Sequence, residues 1–291
     1  MMPILIISCI LVSLREIISL VNFKRLYVNV VELIKGNKTM KDNFATYPSL
    51  KNLPVIVTGG ATGIGEQIVK SFVAQGSKVG FLDFDQKNSE RLQRELNNQV
   101  TFEICNLTEI DNLKKAFSYL MEMIGQPAVL VNNAARDDRH NWSDVSSSYF
   151  DERIATNLKH QFFAIQAVAP AMIERGGGSI INLGSNSWWE ACGDFPVYAT
   201  SKAAIHGLTR TMARDLGNYR IRVNTVVPGW VMTDRQKDLW VTKKGLKKQR
   251  ERQCLPDLID PVYVARMILF LASDDSAMCT ANNYMVEAGS I

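Results

Sequence analysis

From residue 47 onward, short apolar runs alternate with longer stretches whose apolar positions return every three or four residues. Val55-Ile-Val-Thr58 is the first run, β-branched and closed by Gly59-Gly60. Ile64, Ile68, Val69, Phe72 and Val73 then fall on a helical period across residues 64–75. The pattern goes on to predict a strand at 78–83, a helix near 86–97, a strand at 100–104, a helix at 109–124 and a strand at 128–132. A long helix near 150–175, a strand at 179–183, a helix at 197–216 and strands at 222–227 and 283–287 complete it. Strands alternating with helices of ten or more residues imply a parallel sheet covered on both faces. The expected fold is therefore α/β, a single doubly wound parallel-sheet domain over residues 47–291. Residues 234–256 predict a helical flap within it.

The first forty residues show a different pattern. Residues 3–14 form an apolar run that Arg15 and Glu16 interrupt. A membrane span takes roughly 17–25 apolar residues, and a secretory signal takes a positive leader, whereas no charge precedes Pro3. Three readings stay open for residues 1–46: an interfacial anchor involving residues 3–21, a lid on the domain, or translation upstream of a start at Met40. The last is favoured, because Met40 directly precedes a polar leader and then the first clean strand.

Composition narrows the function classes. Of 291 residues, 46% are hydrophobic and 21% charged, enough apolar material to fill a core and to exclude disorder as a description of the whole. The net charge is +4, but residues 1–39 hold five basic and two acidic side chains, so residues 40–291 carry only +1. Nucleic-acid binding wants a clustered basic face, and none is expected. The basic run from Lys243 to Arg252 reads as a solvated face. Five cysteines without a C-x-x-C pair suggest neither a disulfide framework nor a zinc site. The three histidines, His140, His160 and His206, stand at no metal-ligand spacing, so no metal is expected and a reducing, cytoplasmic setting fits.

Chemistry enters at the first strand's end. Thr58-Gly59-Gly60-Ala61-Thr62-Gly63-Ile64-Gly65 leads directly into a helix. A pyrophosphate needs a helix amino terminus with free N–H groups and no β-carbons in its way, and Gly59, Gly63 and Gly65 supply that clearance. Asp83, at the end of the second strand, can accept hydrogen bonds from both ribose hydroxyls of NAD and repel a 2′-phosphate. No Arg or Lys lies between Gly59 and Gly65. The expected cofactor is NAD.

Tyr198-Ala-Thr-Ser-Lys202 places a phenol and an ammonium one turn apart on a helix. A nearby cation favours the phenolate and brings tyrosine toward a working general base. Ser185, just after the strand at 179–183, and Asn132-Asn133-Ala134 close strands at the carboxyl edge where the glycine turn lies. Asn157 can hold a buried water behind Lys202.

In this order the residues resemble the short-chain dehydrogenase/reductase family. The similarity covers residues 50–289 and ends its motif set at Pro228-Gly229. The resemblance implies a Rossmann fold, with Tyr198 as acid/base, Lys202 as the pKa-lowering and ribose-binding group, Ser185 as substrate orienter and Asn157 as relay. It also implies cofactor contacts from Thr62 and Ile64 in the glycine turn, and from Asn106 and Leu107 after the third strand. Asn133 and Ala134, Tyr198 and Lys202, and Pro228, Gly229, Val231 and Thr233 complete the implied cofactor set. Two departures stand out: Asn106 replaces the family's adenine-contacting Asp, and Ala135 replaces a glycine.

Longer stretches, among them Asp137-Asp-Arg-His140 and Ser187-Trp188, are similar to the family's NAD-dependent aldose 1-dehydrogenases. The implied reaction is oxidation of an aldose, D-xylose foremost, at its anomeric carbon to an aldonolactone. Ser185, Asn186, Trp188 and Gln236 are the expected substrate contacts, with Trp189 and Glu190 beside them. His140 and His206 are expected to be structural. Two rivals remain: a carbonyl reductase acting on a 3-oxoacyl thioester or a steroid, and a catalytically inactive binding member of the fold. A homo-oligomer, dimer or tetramer, is implied through helices near 157–175 and 199–216.

Overall fold

Seven parallel strands pair in the order β3-β2-β1-β4-β5-β6-β7. They are β1 (Pro54–Thr58), β2 (Lys78–Asp83), β3 (Val100–Ile104), β4 (Val129–Asn132), β5 (Gly178–Leu183), β6 (Ile221–Pro228) and β7 (Asn283–Val286). The structure, a computed structural model, describes residues 44–291. The N-terminal extension expected at 1–46 therefore falls almost wholly outside the described residues.

Helices cover both faces of the sheet, which is why β1 and β4 are buried at every position and read as unbroken apolar runs. One core layer packs Ile68, Val69 and Phe72 of α1 (Gly63–Ala74) with Val264, Ile268 and Leu269 of a later helix. The other packs Phe117 and Leu120 of α3 (Ile110–Ile124) with Ile165, Val168 and Met172. Between α1 and α3 in the chain lies the amphipathic α2 (Gln86–Glu95), capped by the Asp85 carboxylate.

Two departures from the sequence reading matter. The long helix expected near 150–175 is three pieces: α4 (Ser147–Ile154), a π-helical turn (Ala155–Lys159) and α5 (His160–Arg175). A π turn inserts one residue into the helical repeat, which the spacing of apolar residues does not reveal. The helix that closes the first core layer, α9 (Pro261–Ala272), was not expected at all. Its start is signalled by Pro261 in the first turn and Asp260, whose carboxylate accepts from the Val262 N–H at 2.8 Å.

The remaining helices are α6 (Pro196–Leu216) and, in the expected flap, α7 (Asp234–Leu239) and α8 (Lys243–Arg252). Among the described residues no helix is long and apolar enough to cross a membrane.

Chain order reverses between β1 and β4, whose ends pair Thr58 with Asn132. In an open parallel sheet that reversal opens a crevice beyond the carboxyl ends of the strands.

Candidate active site

The turn after β1 is closed at backbone level. Gly59 has φ +68°, and a β-carbon there meets the Ala134 Cα at 2.8 Å. One on Gly65 meets the Gly59 carbonyl oxygen at 1.8 Å, so only glycine fits. The Asn133 amide donates to the Thr58 and Gly59 carbonyls at 3.1 and 2.8 Å. The Thr58 hydroxyl in turn accepts from the N–H groups of Asn133 and Ala134. Sequence segments 75 residues apart are thus stapled where β1 and β4 end.

A cavity of about 1580 Å³ runs from this turn along the sheet edge. At one end lie Thr62, Gly63, Ile64, Asp83, Asn106 and Leu107; at the other, Ser185, Tyr198 and Lys202; Asn133, Ala134, Pro228, Gly229, Val231 and Thr233 line it as well. Asp83 is buried, its Oδ2 accepting from the Ala61 N–H at 2.9 Å and its Oδ1 from the Asp85 N–H at 3.0 Å. Burial pushes the carboxyl up and those N–H groups hold it back. Asn106 departs from expectation. Its side-chain oxygen already accepts from the N–H and the hydroxyl of Thr108, so it is less free to meet an adenine amino group.

Tyr198 and Lys202 stand on the first turns of α6, with the Lys202 Nζ 5.7 Å from the phenol ring centre. The lysine is buried and donates to the Leu183 carbonyl at 2.7 Å. Burial draws its pKa down to about 7, against the pull of Asp137. The phenol is raised, first by burial and then by Asp137, while Ser185 and Arg139 work in the opposite direction. A lowered phenol was expected from Lys202; in this wall desolvation dominates both groups.

The Ser185 hydroxyl donates to Ser187 at 3.0 Å and accepts from the Ser187 N–H, which fixes its direction. Asn157 sits at the centre of the π turn, fully buried behind the cavity wall. Its oxygen accepts from the Arg136 N–H at 2.8 Å, and its amide nitrogen has no protein partner. A buried donor left open in this way suits an ordered water.

The expected substrate residues separate. Ser185, Asn186, Glu190 and Gln236 reach the cavity, but the Asn186 amide already donates to Glu190 and Ser290. Gln236 is held between the Trp230 indole, from which it accepts at 2.9 Å, and Asp137, to which it donates at 2.7 Å. Trp188 is a correction: it stacks on Trp189 at 3.9 Å and edge-on to His206 at 5.3 Å, away from the cavity wall. His140 accepts from the Val197 N–H, one residue before Tyr198, and so braces the start of α6. Asp137 and Arg139 line the cavity and were not expected as site residues. The available signal was a charged run directly after a strand that ends at the catalytic edge.

Comparison with known proteins fits this geometry. A family model described as enoyl-(acyl carrier protein) reductase matches residues 59–290. The chain is 46% identical over 248 residues to a D-xylose 1-dehydrogenase of Caulobacter vibrioides, covering 84% of this chain and 98% of that one. The chain belongs to the short-chain dehydrogenase/reductase family. It is also 38% identical to a Rhizobium meliloti protein named "Probable galactose dehydrogenase GalD", covering 84% of this chain and 96% of that one. A solved 3-oxoacyl-[acyl-carrier protein] reductase from Brucella melitensis superposes with a TM-score of 0.78 at 28% identity, over 84% of this chain and 94% of that one.

Members of the family are oxidoreductases that use a nicotinamide dinucleotide, and the residues present fit one. Gly59 and Gly65 leave a cradle that a β-carbon would fill, at the amino terminus of α1. Asp83 closes one end of the cavity, and the same cavity continues to Tyr198.

Proposed function

We propose that this dehydrogenase oxidises the anomeric carbon of an aldose, D-xylose foremost, with NAD as cofactor. The observation that carries the reading is one continuous cavity joining Asp83 and the glycine turn to Ser185 and Tyr198, in a chain close in sequence to a D-xylose 1-dehydrogenase over nearly that enzyme's whole length.

Ser185 orients the C1 hydroxyl, its own O–H turning from Ser187 to that oxygen when the sugar binds. The Tyr198 phenolate takes the C1 hydroxyl proton at Oη. When bound, nicotinamide supplies the two-electron acceptor for the C1 hydrogen and a positive charge that favours the phenolate. The product is an aldonolactone, which water opens to the aldonic acid. Lys202, about half protonated at pH 7, can receive a proton from the phenol side and pass it to a water held at the open Asn157 amide. Lys202 also binds the ribose.

NAD is favoured over NADP by two charges. The buried Asp83 carboxylate repels a 2′-phosphate. Arg91, the guanidinium on that part of the wall, is held by Glu66 at 2.7 Å and Glu95 at 2.8 Å. The four described cysteines are unpaired, which suits a reducing cytoplasm. A homo-oligomer through α5 and α6 is supported by outward Phe162 and Ile173 on α5.

The test is a matrix of initial rates: xylose, arabinose, galactose and glucose, a 3-hydroxyacyl thioester and a hydroxysteroid, each with NAD and NADP. NADH formation with aldoses, led by xylose, is expected. Preference for the thioester or steroid, or for NADP, overturns the corresponding half of the reading.

A further inference from the structure

The loop leaving β4 carries Arg136-Asp137-Asp138-Arg139 across the reacting end of the cavity. Its four charges are used differently. Asp138 is consumed by guanidiniums, lying 2.7 Å from the buried Arg153, 2.6 Å from Arg235 and 3.0 Å from Arg136. Arg139 is different. Its guanidinium carbon lies 3.9 Å over the Phe195 ring and 5.3 Å from the Trp240 ring. Phe195 is itself 5.4 Å, ring to ring, from Tyr198. The other guanidiniums on the cavity wall all have carboxylate partners: Arg91 with Glu66, Arg136 and Arg235 with Asp138, Arg252 with Glu190. Among the described residues, Arg139 is the wall guanidinium that has none.

Stacking on aromatic faces holds such a cation in place while leaving its edge, and so its N–H donors, free. Asp137 is the complement. It lines the same wall, and each carboxylate oxygen can accept more than one hydrogen bond. Gln236 takes one position at 2.7 Å, and Arg235 stands 3.5 Å from the other oxygen. Acceptor capacity therefore remains two residues from a fork of unused donors, both beside the phenol. A hydroxyl both donates and accepts, so adjacent hydroxyls on a sugar ring match this pair, whereas an apolar ring or an acyl chain strips both groups of water without replacing it.

We propose that Asp137 and Arg139 are the specificity-determining pair of this site, holding neighbouring hydroxyls of a neutral sugar beside Tyr198. The inference rests on the aldose reading and names how that substrate is recognised. The pair also sets the phenol from two sides, Asp137 raising its proton affinity and Arg139 lowering it. The other groups facing the phenol are Lys202 on its own helix and the Ser185 hydroxyl after β5. His160 of α5 stands behind Lys202, neutral above about pH 3. Arg235 of α7 stands beyond Asp137.

The experiment measures kcat and KM for xylose across pH in wild type and in Asp137→Asn, Arg139→Gln and Arg139→Lys, with NAD affinity and melting temperature recorded for each. Asp137→Asn and Arg139→Gln are expected to raise the sugar KM by roughly 10–100-fold, the effect of a lost charged hydrogen bond, with NAD affinity within about twofold of wild type. Because oxidation needs the phenolate, Asp137→Asn should move the acid limb of the rate profile to lower pH and Arg139→Gln to higher pH. Arg139→Lys keeps the charge and leaves the limb in place while the KM still rises. Limbs that move together, or a sugar KM unchanged in Asp137→Asn and Arg139→Gln, overturn the pair while an active wild type keeps the aldose reading. A wild type inactive on every aldose overturns both.

Discussion

The two ends of the cavity are held together by different means. At the cofactor end the contacts that shape the glycine turn run from side chain to backbone: Asn133 on the Thr58 and Gly59 carbonyls, Asp83 under the Ala61 N–H. At the substrate end, side chains from the flap meet side chains of distant loops: Gln236 with Asp137, Arg235 with Asp138, Arg252 with Glu190. Backbone-built sites tolerate almost no substitution, since the chain path itself is the ligand-binding surface. Side-chain-built sites can change selectivity without changing the path. The comparison explains how one scaffold keeps its dinucleotide while relatives carry names as different as xylose, galactose and steroid dehydrogenases.

The largest expected effect falls where the two ends meet. Tyr198→Phe removes the proposed proton acceptor and should cut kcat by roughly 10²–10⁴-fold, with NAD affinity retained by fluorescence titration. Next, Asp83→Asn should raise the KM for NAD by roughly 10–100-fold and narrow the margin over NADP, leaving the sugar KM in place. Gln236→Leu cuts the flap-to-loop link, losing one bond to the Asp137 carboxylate and one to the Trp230 indole, and should raise the sugar KM by about tenfold, leaving the KM for NAD alone. If Asp83→Asn moves the sugar KM, or Gln236→Leu the KM for NAD, the division into two ends fails.

One expected effect is on stability. His160 is fully buried and its pKa is pulled down to about 3 by burial and by Lys202, against nearby backbone carbonyls. Unfolding restores the ordinary value near 6.5, so the unfolded chain binds an extra proton between those limits. The contribution of His160 to stability is complete above about pH 6.5 and is lost as pH drops toward 3. Urea midpoints should show this slope in wild type and a shallower one in His160→Gln; equal slopes would remove His160 from the account.

Sequence pattern revealed the sheet well, because buried parallel strands such as Val55-Ile-Val-Thr58 are unbroken apolar runs. The glycine turn, Asp83, Ser185, Tyr198 and Lys202 were legible too, being fixed by spacing to strand ends and one helix face. What escaped was set by contacts made across the fold. Trp188 was expected among the substrate contacts, but its ring finds Trp189 and His206, the latter on α6. α9 carries apolar residues on more than one face, so Ile268, Leu269, Leu271 and Ala272 give no clean stripe. Arg139 had no role in the sequence reading beyond its place in Asp137-Asp-Arg-His140, and only the Phe195 and Trp240 rings show how it is held.

The irregular turn at Ala155–Lys159 leaves this fold a standing conflict. Deleting one residue there restores an unbroken helix from Ser147 to Arg175, a gain in local order, yet it rotates α5 by about 100° relative to α4. Asn157 would then leave the place where its oxygen caps the Arg136 N–H and its amide waits for water. A deletion made there for sturdiness should therefore be expected to trade away turnover.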